Sequence, residues 1–144
     1  MGLDCYMVHG NDRDKPFTHE DDDRIKDISL CGGLFSGYGR DGSFRGKVYD
    51  PLIRELSEGR HTWYIDQDED AYIPSVALKE QANLLAELIQ AKVDIADEEN
   101  IVIGDEDIIY QSKCNNEYTY KEVMDLMTLL RVAAERRAVM TVWY

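Results

Sequence analysis

The chain has 144 residues, a hydrophobic fraction of 44% and a formal net charge of −13 from 29 acids and 16 bases. That length suits one domain closing one core, and nine Tyr, two Trp and three Phe supply apolar faces that a wholly disordered acidic chain lacks. No apolar run approaches the roughly 20 residues of a membrane span, and so negative a molecule repels nucleic acid, which leaves neither as a direct partner.

Leu3 to Val8 alternates as a strand does, and Ala138 to Trp143 is rich in β-formers, so the two ends are expected to pair in one sheet. The Met1-Gly2-Leu3-Asp4 start has no basic region leading into an apolar stretch. Tyr6 stands where a myristoylation signal needs Ser or Thr, and the expectation is an unexported, cytoplasmic protein. Val8 to Asp27 is polar, holds Pro16 and the run Glu20 to Asp23, and reads as loop with a short helical turn. Ile28 to Phe35 reads as a short strand broken by Gly32 and Gly33, followed by a glycine-rich turn from Gly37 to Gly46.

Asp50-Pro51 opens a predicted helix, with Leu52, Ile53 and Leu56 as its apolar stripe and Gly59 after its last turn. His61 to Ile65 alternates and predicts a strand. Ser75 is the expected cap of a long helix to about Val93, where Leu78, Leu85 and Ile89 recur at helical spacing. Ile101 to Ile103 and Ile108 to Tyr110 read as short extended segments. Thr119 and Glu122 form the signature of a capping box, and Val123, Met127, Leu130 and Ala134 give the core stripe of a helix ending near Arg137. The sum is a single α+β domain over residues 1–144, about three helices packed on a small antiparallel or mixed sheet that includes both termini.

The charge is unevenly placed. His61 to Ser112 holds thirteen acids against Lys79 and Lys92, a net −11, while the remainder is close to balance. The acids gather as Asp66-Gln67-Asp68-Glu69-Asp70, Asp97-Glu98-Glu99 and Asp105-Glu106-Asp107. Alternating carboxylates in a turn can converge on Ca2+, which takes six to eight oxygens, so Asp66, Asp68 and Asp70 are candidate metal ligands, with Asp105 and Asp107 as a second set. The first knot is no EF-hand: Ala71 replaces the loop glycine and Ala77 the closing glutamate.

Gly37-Tyr38-Gly39-Arg40-Asp41-Gly42 matches a dinucleotide-binding pattern, but the helix signal lies further on at Asp50-Pro51, which excludes that use. The same glycines let backbone carbonyls and Asp41 wrap a cation, an alternative calcium loop. Cys5, Cys31 and Cys114 have no close pairing, which fits a reducing compartment. Stringing Cys5, His9, His19 and Cys31 into a zinc site finds no paired ligand spacing. With no Gly-x-Ser-x-Gly elbow and with His and Cys scattered, the expectation is a binding protein rather than an enzyme.

The opening Met1-Gly2-Leu3-Asp4-Cys5-Tyr6, and the block from Cys31-Gly32-Gly33 through Ser43-Phe44-Arg45-Gly46-Lys47-Val48-Tyr49, resemble the cyanobacterial calcium-binding CcbP proteins, over less than a third of the chain. The resemblance implies a small acidic protein that binds Ca2+ without EF-hands, as an intracellular buffer or regulator connected in filamentous species with heterocyst differentiation. Within the matching block it implies Asp41 as a ligand. Beside calcium stands a second reading, in which the acidic surface docks on a basic protein partner, itself possibly nucleic-acid-binding, or inhibits it.

Overall fold

β1 (Asp4–Val8) and β5 (Val139–Trp143) pair antiparallel with Asp4 opposite Trp143 and Val8 opposite Val139, so the two ends share one sheet, as expected. The computed structural model describes residues 3–31, 42–65 and 72–143. β2 (Ser43–Phe44) closes the other side of β1, giving the order β2-β1-β5, and a bridge from Ile73 to Met140 extends the sheet beyond β5. The loop after β1 carries a 3-10 turn at Asp23–Ile25, capped by the Asp22 carboxylate accepting from the Arg24 N–H.

α1 runs Gly46–Leu56, starting five residues earlier than the Asp50-Pro51 signal places it. Pro51 lies inside the helix, and Asp50 is fully buried with its carboxylate turned to the chain after α1 rather than to free helix amides. Gly46 sits where a Cβ would collide with the Cys5 sulfur, which lets α1 close against β1. Gly42 enters β2 in a left-handed turn at φ 77°, so the last glycine of the dinucleotide-like pattern precedes a strand and not a helix. Ile28 to Cys31 is irregular or turn rather than strand, and the remainder of that predicted element lies outside the described residues. His61–Ile65 is not a strand either. Its backbone serves Asp50 and a local turn, with Trp63 N–H donating to the Asp50 carboxylate.

α2 runs Ser75–Glu98, five residues past the predicted end. Its N-cap is Pro74; the Ser75 hydroxyl instead donates to the Ala138 carbonyl at 2.6 Å and ties the helix start to the strand β5. Ile101 to Ile103 is irregular, while β3 (Ile108–Gln111) pairs antiparallel with β4 (Glu117–Thr119), a strand the sequence reading missed. α3 (Tyr120–Glu135) starts with the expected capping box: Thr119 accepts from the Glu122 N–H, and Glu122 accepts from the Thr119 N–H. α2 buries Leu78, Ala82 and Leu85, and α3 buries Val123, Leu126, Leu129 and Leu130, in one core shared with the sheet and α1. The result is an α+β domain, with three α-helices and two small antiparallel sheets among the described residues. No helix among the described residues is long and apolar enough to cross a membrane.

Candidate functional site

The last turn of α2 carries Asp97 and Glu98, with Glu99 as C-cap and no base, and Asp94 lies one turn earlier, beside Lys92. Acids at a helix's negative end are disfavoured by about 0.3–1 kcal/mol each at low salt. Asn100 then adopts φ 58°, and the Ile101 N–H returns to the Ala96 carbonyl at 2.8 Å, folding the chain back on the helix end. This leaves apolar side chains in the open: Ile95 is 51%, Ile101 53% and Val102 91% exposed. From Val93 to Ser112 there are seven acids and no Lys, Arg or His. None of the seven takes part in an ion pair among the described residues.

The second acid knot is built into a helix start. Asp107 Oδ2 accepts from the Gly104 N–H at 2.7 Å, and the carbonyls of Asp107 and Asp105 accept from the N–H groups of Tyr120 and Lys121 at 2.8 and 3.1 Å. Two carbonyls of the turn are thus engaged in starting α3, whose positive end favours acids nearby, while one Asp107 carboxylate oxygen closes the turn itself. Both side chains are exposed. The nearby Lys121 ammonium is committed to Asp125 at 2.7 Å, and that hydrogen bond raises its pKa. Asp105 and Asp107 therefore have no third ligand brought to them: among the described residues no three His, Cys, Asp or Glu side chains gather as a metal site.

Asp41, Asp66, Asp68 and Asp70 lie outside the described residues. Their attachment points do not. The Met7 N–H donates to the Gly42 carbonyl, Met7 lies opposite Met140, and Met140 exchanges two hydrogen bonds with Ile73. Gly42, Met7, Met140 and Ile73 thus form one row across the sheet, about 14 Å wide at the usual strand spacing. The segment ending at Asp41 and the acid knot ending three residues before Ile73 join the sheet at this one level. The Arg13 guanidinium stacks over the Tyr72 ring at 3.9 Å beside that second attachment.

His61 Nε2 stands 3.0 Å from Glu80, its Nδ1 is 3.5 Å from the Gln81 amide nitrogen, and Gln81 Oε1 accepts from the Trp63 indole at 2.9 Å. This series ends in the core and includes no Ser, Cys or Lys to activate. Cys5 is fully buried, and burial, followed by the charges of Asp50 and Asp4, pushes its thiol well above the usual range. Cys31 is exposed and His9 pairs with Asp21 at 3.2 Å, so the string Cys5, His9, His19, Cys31 does not close on a metal.

Sequence reading missed a cleft of about 620 Å3 between the loop after β1 and the end of α3, lined by His9, Gly10, Asn11, Arg136, Arg137 and Val139. Its two walls come from opposite ends of the chain, and the expected pairing of those ends was the one signal for it. No family model matches the sequence, and neither a curated protein nor a solved structure matches it.

Proposed function

We propose that the protein is an acidic interaction protein that receives a basic, apolar-bearing segment of a partner protein on the C-terminal end of α2. The carrying observation is the coincidence of exposed Ile95, Ile101 and Val102 with seven acids that form no ion pair among the described residues. Acidic groups steer and orient a basic partner, while the apolar side chains supply the burial that holds it, about 1.5–3 kcal/mol for each one fully covered. The same acids oppose nucleic acid at this face. A Lys/Leu amphipathic helical peptide and an oligolysine of equal charge, titrated calorimetrically in EDTA, test the reading. The amphipathic peptide is expected to bind at least tenfold tighter, and Val102→Asp to remove that difference. Equal binding of the two peptides would contradict it.

Calcium binding, as an intracellular buffer or regulator, is the second reading. It is supported by the shared sheet level from which the Asp41 segment and the Asp66 to Asp70 knot depart. Segments attached within about 14 Å of each other can bring their carboxylates to one ion. The turn at Asp105 and Asp107 contributes less to this reading, since its carbonyls already serve α3.

A further inference from the structure

The cleft between the β1 loop and the end of α3 carries charge of the opposite sign to the molecule. Among the described residues its polar lining side chains are His9, Asn11, Arg136 and Arg137, none of them an acid, in a chain of net charge −13. α3 closes with the Arg137 N–H donating to the Ala134 carbonyl and the Ala138 N–H to the Ala133 carbonyl, and Arg137 adopts φ 57°. That is the position where glycine is usual, because a Cβ is disfavoured in the left-handed region. Glu58 holds the same conformation at the end of α1, at φ 54°, so the strain alone distinguishes nothing. The surroundings do distinguish Arg137. It lines a cleft and has no ion pair among the described residues.

The opposing wall is fixed against it. A Cβ at Gly10 would collide with the Arg137 carbonyl oxygen, so only glycine allows the two backbones to approach this closely. The closing hydrogen bonds also occupy the Val132, Ala133 and Ala134 carbonyls, which reduces the negative character that a helix end would show an anion. Of the other lining groups, His9 faces Asp21 at 3.2 Å, and the Arg136 guanidinium reaches Asp22 only at 3.7 Å.

We propose that this cleft binds the phosphoryl group of a small molecule, with Arg137 and Arg136 as guanidinium donors and Asn11 as a neutral donor. A guanidinium fork matches phosphate oxygens in pairs, and the volume lies within the range of small-molecule sites. The site is independent of the acidic face at the end of α2.

Amide chemical shifts followed during titration with inorganic phosphate, and separately with a nucleoside monophosphate, test the proposal. Both ligands are expected to shift Gly10, Asn11 and Arg137, and tighter binding of the nucleotide would identify an organic phosphate rather than the free ion as the occupant. Arg137→Gly is a clean variant, since glycine suits the backbone there: melting temperature should hold or rise while phosphate affinity falls at least tenfold. Arg136→Ala, at an exposed position, should weaken binding by several-fold. Unchanged affinity in folded Arg137→Gly, or no response of these amides at millimolar phosphate, would overturn the proposal.

Discussion

The buried carboxylate of Asp50 accepts the Trp63 backbone N–H at 2.6 Å, joining the middle of α1 to the chain that follows it. The same oxygen accepts from the Thr62 hydroxyl at 2.9 Å, and Arg54 approaches the other oxygen at 2.9 Å. Asp50→Ala leaves a buried N–H without its acceptor. We expect a loss of about 2–4 kcal/mol in urea unfolding followed by tryptophan fluorescence.

Asp22 is held down to about 2, from 3.8, first by the Arg24 side-chain hydrogen bonds and then by the Arg24 N–H. Because its folded pKa is depressed, its contribution is fully present above 3.8 and is lost as pH falls towards about 2. Wild type should exceed Asp22→Asn in melting temperature near neutral pH, and the gap should close across that acid window. A gap unchanged across the window would contradict the assignment.

Thr119→Ala removes one half of the capping box at the start of α3. Loss of about 1 kcal/mol is expected, with hydrogen exchange faster at the first amides of α3 and little change at its C-terminal end.

Native mass spectrometry with and without Ca2+ addresses the second reading. If the two segments share an ion, Asp66→Asn/Asp68→Asn and Asp41→Asn each lower the number of bound ions, while Asp105→Asn leaves it unchanged. Bound ions unaffected by any of these changes would remove these acids as the site.

Much of the fold was legible, because the signals that carry it are local and agree with burial. Thr119 and Glu122 mark a helix start, and the alternation from Leu3 to Val8 marks a strand. Errors arose where one residue type serves two kinds of partner. Asp50 before Pro51 has the chemistry of a cap, yet its carboxylate is spent on Thr62 and Trp63. Ser75 likewise bonds the distant Ala138 carbonyl rather than its own helix. Trp63 and Ile65 alternate as in a strand, but the Trp63 N–H goes to the Asp50 carboxylate and the Ile65 N–H to the Trp63 carbonyl in a local turn.

The sites divide the same way. The acids of the α2 end could be counted from sequence, but not the exposure of Ile101 and Val102, which depends on the reversal at Asn100. The cleft at Arg137 was hidden because Gly10 and Arg137 approach only after β1 and β5 pair.

A docking face for a basic, apolar-bearing segment at the end of α2 makes a definite demand on amide shifts mapped during titration with the Lys/Leu peptide in EDTA. The shifts are expected to concentrate at Ile95, Ile101 and Val102 and to be lost in Val102→Asp. Shifts spread over acids elsewhere, with Ile101 and Val102 unmoved, would contradict it.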